Sequence, residues 1–167
     1  MCAFRQSLYL LLCSLIVAAC NQAPSDSGQQ AARGEDTARE VLSTFFTHLN
    51  EGRYSEAVEL YGGSYDQLRD WNPSIELDDY TGLMQSACEG NGITCMTPID
   101  IVPVDSEATG QLRFDVQFEN DDGSLFVRGP CCGANSTDQP PQSTFTFSVV
   151  KDTNGDYLVM DLPPYVP

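Results

Sequence analysis

Four cysteines are the residues of this chain best suited to covalent or metal chemistry: Cys88, Cys95, and the adjacent pair Cys131 and Cys132 in the loop sequence GPCCGANSTDQPP. Four thiolates can bind zinc, but the ligands of a structural zinc site usually come in pairs two to four residues apart. Here six residues separate the first pair and none separates the second. A redox-active pair typically has two intervening residues, a pattern that is also absent. The spacing therefore predicts neither a metal site nor a cofactor.

The amino terminus indicates the compartment in which these cysteines are found. One basic residue, Arg5, precedes an apolar run over residues 8–19 that is short for a membrane-spanning helix and typical of a signal peptide over residues 1–19. The run ends in the sequence VAAC, residues 17–20, which resembles a bacterial lipobox. In that motif the cysteine receives acyl chains such as palmitate and becomes the first residue of the mature protein. We expect Cys20 to anchor the chain in the cell membrane, facing the extracytoplasmic side; an ordinary secretory signal or an uncleaved anchor is the alternative.

Outside the cytoplasm, an even number of cysteines predicts disulfide bonds. We favour bonds that join Cys131 and Cys132 to separate partners, Cys88 and Cys95. In an antiparallel meander, the start of the first strand and the loop after the second strand lie at the same end of the sheet. The second choice is the local pairing of Cys88 with Cys95 and of Cys131 with Cys132, because a bond between adjacent cysteines closes a strained eight-membered ring.

The charge of the chain excludes one class of partner. The 8 basic and 24 acidic residues give a formal net charge of -16. So acidic a surface repels nucleic acid and anionic lipid headgroups. We expect no nucleic acid partner, and we interpret the acidic residues as a solvated surface that keeps the protein soluble.

Composition divides the chain into three segments. After the signal peptide, residues 20–34 contain the lipidated cysteine and the polar sequence NQAPSDSGQQAARG, which has no apolar periodicity and predicts a flexible linker. Residues 35–167 are enough for one compact domain and too few for two. We therefore predict a single α+β domain on a flexible stalk.

The first half of this domain has the apolar spacing of helices. A helix is predicted from Asp36 to about residue 50, a second over residues 55–61 and a third over residues 79–89. The sequence SYDQLRDWNPS, residues 64–74, fits either a turn of helix or a short strand. The first helix has one apolar stripe, formed by Ala38, Val41, Leu42, Phe45 and Leu49.

The second half has the alternation of strands. It is weak over CMTPIDIVPV, clear over residues 112–118, and present again over residues 145–149. The dipeptide Asn154-Gly155 predicts a hairpin turn into a last strand over residues 157–162, and DDGSLFV predicts a further short strand. Two or three helices followed by these strands predict helices packed on one face of a curved antiparallel meander sheet.

The sequence FFTHLNEGRYSEAVELYGG, predicted as helix, tight turn and helix, resembles the cystatin-like cone fold of the nuclear transport factor two superfamily. More narrowly, the chain resembles bacterial lipoproteins of unknown function with that domain. The resemblance implies a pocket between helices and sheet, in which some members are isomerases, dehydratases or hydrolases. No catalytic motif of the family matches this chain, so we assign no catalytic residue.

Two functions follow as hypotheses. The first is a non-catalytic, lipid-anchored binding module for an envelope protein or a small apolar ligand. The second is an isomerase, dehydratase or hydrolase that uses the only histidine, His48, as its base; we favour a boundary position with a satisfied ring nitrogen for this residue. The side chains that we expect to line a pocket inside the cone are those of His48, Tyr61, Trp71, Tyr80, Phe114 and Phe147.

Overall fold

The computed structural model describes residues 26–104 and 110–166. These residues form an α+β fold in which helices precede an antiparallel sheet, as the sequence predicts. They contain four helices, where the sequence analysis predicts two or three, and four strands. The signal peptide and Cys20 lie outside the described residues. The helices are α1 (Asp26–Asn50), α2 (Tyr54–Glu59), α3 (Asp66–Trp71) and α4 (Tyr80–Gly90), and the strands are β1 (Pro98–Val104), β2 (Leu112–Phe118), β3 (Phe145–Lys151) and β4 (Tyr157–Val159).

Helix α1 is longer than the sequence analysis predicts. It begins at Asp26, so the last nine residues of the segment 20–34, which the sequence analysis assigns to a linker, are helical. The physical reason is the composition of QQAARGEDTARE, in which glutamine, alanine, arginine and glutamate all favour helix. Arg39 adds ion pairs of 3.2 Å with Glu35 and with Asp36, one helical turn back.

The end of α1 and the start of α4 follow local signals. Gly52 has a φ of 72°, which a glycine adopts without steric cost, and the Arg53 N–H donates to the carbonyl of His48 over 2.8 Å. At α4, the carboxylate of Asp79 accepts the N–H of Gly82 over 2.9 Å and caps the helix. Between them, the DQLRDW sequence forms α3, whose Leu68 is fully buried.

The sheet is an open antiparallel meander in which each strand pairs with the next along the chain. Phe114 of β2 lies opposite Phe147 of β3, so the buried side chains of both strands share a face. Strand β4 ends at Val159, earlier than predicted. The N–H of Met160 still donates to the carbonyl of Ser148, but the N–H of Ser148 donates to the side-chain carboxylate of Asp161 over 2.6 Å, so the backbone pairing does not continue. The DDGSLFV segment contributes a single bridge, between Glu119 and Leu125.

Aromatic side chains fill the space between α1 and the sheet. Helix α1 crosses the inner face and contacts all four strands. Phe46 packs edge-on against Phe118 and against Phe147, with ring centroids 4.9 Å apart in each pair. The α1 residues of this core are no more than 1% exposed: Ala38, Leu42, Phe45, Phe46 and Leu49.

Candidate functional site

The predicted pocket inside the cone is occupied by core side chains. Phe114 and Phe147 are 0% and 2% exposed, and Phe46 of α1 fills the adjacent volume. These two strand residues therefore hold the sheet against α1. They stabilise the fold and do not line a cavity that a ligand enters.

The other predicted pocket residues lie in separate places. Tyr61 is buried against Phe45 and donates its hydroxyl to the carbonyl of Ser64 over 3.1 Å. Trp71 packs against Tyr165 in the carboxyl-terminal tail, with ring centroids 5.2 Å apart. Tyr80 is 38% exposed at the start of α4. The structure thus does not bring these aromatic residues together in one site.

His48 lies in the last turn of α1 and is half-buried. Its Nδ1 atom is shielded from solvent and has no hydrogen-bond partner among the described residues, so the prediction of a satisfied ring nitrogen was wrong. Asp100, a carboxylate of the type that serves as a general base in hydrolases, is exposed on the edge strand β1. Neither residue lines the cavity described next.

That cavity, of about 1190 Å³, is an open groove between the amino-terminal half of α1 and the β3–β4 hairpin. We call it the α1–hairpin groove. Its edge is completed by the chain after α2, since Val159 of β4 exchanges backbone hydrogen bonds of 2.9 Å with Leu60 and Gly62. The lining combines an apolar floor with a charged rim. The floor consists of Val41, Leu60, Tyr61, Leu112, Tyr157 and Leu158, and the rim includes Arg33, Glu35, Glu59, Lys151, Asp152 and Asp156.

A close approach of α1 to the hairpin sets the width of the groove. A Cβ atom at Gly34 would lie 2.8 Å from the hydroxyl of Tyr157, so glycine lets the helix pass directly over this side chain. The ammonium group of Lys151 lies 5.4 Å from the centre of the same ring, within range of a cation–π interaction. The Tyr157 side chain of the groove floor therefore lies between the backbone of α1 and the ammonium group of Lys151.

The hairpin turn is ordered by one carboxylate. Asp152 Oδ1 accepts the backbone N–H groups of Asn154, Gly155 and Asp156 over 2.8, 2.9 and 2.9 Å. These hydrogen bonds, that of Asp156 most strongly, lower the pKa of Asp152 and keep it ionised. The turn predicted at Asn154-Gly155 is confirmed, with a φ of 98° at the glycine.

The cysteines are arranged differently from the favoured prediction. Cys88 at the end of α4 is bonded to Cys95, with their Cα atoms 5.5 Å apart, and Cys131 and Cys132 are free thiols. The predicted cross-pairing was wrong because the chain after β2 does not stay at the end of the sheet. It turns back along β2 and reaches Arg128, whose backbone pairs with that of Gln142, and the adjacent cysteines lie beyond this pair.

Sequence reasoning missed the groove because Arg33 and the residues around it were assigned to the linker. The available signal was the helix-forming composition between Asp26 and Asp36. The contact between Gly34 and Tyr157, by contrast, is between residues more than a hundred positions apart, and no local sequence pattern predicts it.

No protein-family model, curated protein or solved structure matches this chain. The resemblance to cystatin-like lipoproteins therefore stays a prediction. Over residues 26–104 and 110–166, no group of three or more histidine, cysteine, aspartate or glutamate side chains is arranged to hold a metal ion. In the same part of the chain, no helix has the length and apolar character needed to cross a bilayer.

Proposed function

We propose that this protein is a non-catalytic binding module, anchored outside the cytoplasm by lipid on Cys20, and that it contacts its ligand through the α1–hairpin groove. The observation that carries the proposal is the combination of a filled interior with an open surface groove whose floor is apolar. A cavity of this size buries enough apolar surface for specific recognition.

The lining of the groove indicates the chemistry of the ligand. Leu60, Leu112 and Leu158 are only partly buried by the protein itself, so a ligand that covers them gains hydrophobic contact. Arg33 and Lys151 on the rim stand beside acidic residues, so the groove as a whole does not select a strongly charged ligand. An apolar small molecule, or apolar side chains of an envelope protein, fits this surface.

The alternative hypothesis of an isomerase, dehydratase or hydrolase is less well supported. General acid–base catalysis needs a group that exchanges a proton near neutral pH at the reacting atom. Asp152 is held in its ionised form by the turn, and Glu59 and Asp156 are exposed rim residues. Burial raises the pKa of Tyr61 on the floor, which keeps its hydroxyl neutral. This donor set suits binding better than proton transfer.

A tryptophan placed in the groove tests the binding site. Thr37 is exposed on α1 and lines the groove, so Thr37→Trp fills the cavity without disturbing the core. Glu40→Trp is the matched control, because Glu40 is exposed on the same helix outside the groove lining. With the uncharged fluorescent probe N-phenyl-1-naphthylamine, we expect Thr37→Trp to weaken saturable binding about tenfold and the control to leave it unchanged. Equal binding by both variants, or no binding by the parent protein, would contradict the proposed site.

The anchor is tested on the full-length chain expressed in a bacterium. Because acyl chains hold a protein at the membrane through burial of their methylene groups, the parent protein should partition into the detergent phase. Cys20→Ser should move it to the aqueous phase and remove the lipid mass from the intact protein. A parent protein without lipid mass would overturn the anchor and leave the groove experiment valid.

A further inference from the structure

The cysteine loop, residues 129–141, is a closed and internally bonded unit. Arg128 and Gln142 exchange two backbone hydrogen bonds of 2.8 and 2.9 Å at its base. Inside the loop, the side-chain oxygen of Gln139 accepts the backbone N–H of Cys131 over 2.8 Å. The two thiols are thus presented from a loop with defined local geometry.

A tight turn places the thiols differently with respect to solvent. The carbonyl of Cys131 accepts the N–H of Ala134 over 2.9 Å, and the two central residues, Cys132 and Gly133, have φ values of 60° and 85°. Positive φ at both central positions is typical of a type I′ turn. Cys132 is exposed in this turn, whereas Cys131 at its base is partly buried. The two sulfurs are therefore neighbours with unequal access.

We propose that Cys131 and Cys132 form a thiol–disulfide exchange site, in which Cys132 attacks an external disulfide and Cys131 completes the exchange by closing a bond between the adjacent cysteines. The co-reactant is a small organic disulfide or an exposed disulfide of a partner protein. The site is independent of the groove and of the proposed binding function.

The exchange balances in two steps. In the first, the Cys132 thiolate, whose proton has gone to water, attacks one sulfur of the external disulfide, breaks its S–S bond and expels one thiolate, which takes up a proton. In the second, the Cys131 sulfur loses its proton, attacks the Cys132 sulfur of the mixed disulfide and expels the second thiolate, which is protonated in turn. The cysteine pair is oxidised by two electrons and the external disulfide is reduced to two thiols.

The surroundings of the two sulfurs fit this order. The exposed thiol is the one that an external disulfide can reach. Cys131 is the later of the two to react because it is less accessible. Its interaction with the Cys132 thiol raises the pKa of the Cys131 thiol, and the nearby Arg128 guanidinium acts in the opposite direction. Cys88–Cys95 packs against the hydrophobic core, in contrast to the adjacent pair on its surface loop. Exposed and strained disulfides are the more easily reduced, so the two bonds should differ widely in lability.

The experiment uses the full-length chain after mild reduction that leaves Cys88–Cys95 intact. The oxidant is bis(2-hydroxyethyl) disulfide, which is uncharged and so is not repelled by the acidic protein. After quenching with N-ethylmaleimide, mass spectrometry of the loop peptide should show loss of two hydrogen atoms and no alkylated thiol. Cys131→Ser should stop at a stable mixed disulfide on Cys132. Cys132→Ser should react about tenfold more slowly, because the remaining thiol is less accessible.

Any of three results would overturn the proposal. The first is that N-ethylmaleimide still alkylates both Cys131 and Cys132 after prolonged exposure to the oxidant. The second is a stable mixed disulfide on each of the two cysteines of the parent protein, and the third is equal reaction rates for the two serine variants. Both substitutions lie in a surface loop outside the core, and the Cys88–Cys95 peptide in the same digest reports whether the fold was retained.

Discussion

Two neighbouring tyrosines, Tyr61 and Tyr65, show how much a single polar atom contributes in this core. Their rings meet edge-on with centroids 5.0 Å apart, and both side chains are buried. The Tyr61 hydroxyl donates to the carbonyl of Ser64, but the Tyr65 hydroxyl is buried without a partner among the described residues. Burial raises the pKa of Tyr65 to about 12. The two hydroxyls therefore make opposite contributions to stability.

Removing each hydroxyl in turn tests this difference in stability. We expect Tyr61→Phe to lower the free energy of unfolding by about 1 kcal/mol, because a net hydrogen bond is lost. Tyr65→Phe should leave it unchanged or raise it by up to about 1 kcal/mol, because an unpaired polar atom leaves the core. Urea denaturation near neutral pH measures both values. A loss of stability in Tyr65→Phe as large as that in Tyr61→Phe would show that the Tyr65 hydroxyl is bonded.

At the scale of elements, the Cys88–Cys95 disulfide joins the end of α4 to the segment before β1. The same segment is held by the carboxyl-terminal tail, since Thr94 donates its N–H to the carbonyl of Pro164 over 2.8 Å and Val166 donates to that of Gly92 over 2.7 Å. The helical half and the stranded half of the domain are thus joined at one point by a covalent bond and a short backbone pairing.

The cysteine pairs provide a matched test of this arrangement. The double change Cys88→Ala and Cys95→Ala should lower the free energy of unfolding by about 2 kcal/mol, the chain-entropy value for a loop of this length. The double change Cys131→Ala and Cys132→Ala should alter it by less than about 0.5 kcal/mol, because both residues lie on a surface loop. Equal losses in the two variants, measured by urea denaturation under oxidising conditions, would instead favour bonds between the two pairs.

Elements with a periodic sequence were predictable, and those that depend on distant contacts were not. The strand β2 is confirmed because Phe114, Val116 and Phe118 alternate with polar residues and lie on the buried face. Helix α3 has only six residues, too few to show a period, and the sequence left its type open. The disulfide pairing and the groove both depend on how the chain returns after β2 and β3, and local patterns do not contain that information.

At the scale of the whole molecule, the negative net charge destabilises the folded state. A formal net charge of -16 on 167 residues places many carboxylates close together, and their mutual repulsion is weaker in the more expanded unfolded chain. Some of the few basic side chains already form local ion pairs, such as that of Arg69 with Asp66 at 3.1 Å. Electrostatics at this scale therefore favours unfolding.

Added salt should consequently stabilise the protein. We expect the free energy of unfolding to rise between about 10 mM and about 300 mM potassium chloride, because the Debye length falls well below the dimensions of the domain. Thermal denaturation at neutral pH at each concentration measures the effect. The same series close to the sequence pI of about 4.1, where the net charge is small, is the control and should show a weaker dependence. A fall in stability with salt at neutral pH would mean that attractive pairs dominate.

The early start of α1 has a geometric consequence for the proposed anchor. Five residues separate Cys20 from Asp26, and the six backbone steps between the two span at most about 22 Å even when fully extended. Gln30, one turn into the helix, already borders the groove. A lipidated Cys20 would thus hold the near end of the groove within about 30 Å of the lipid headgroups, close enough for ligands that accumulate at the bilayer surface to reach it.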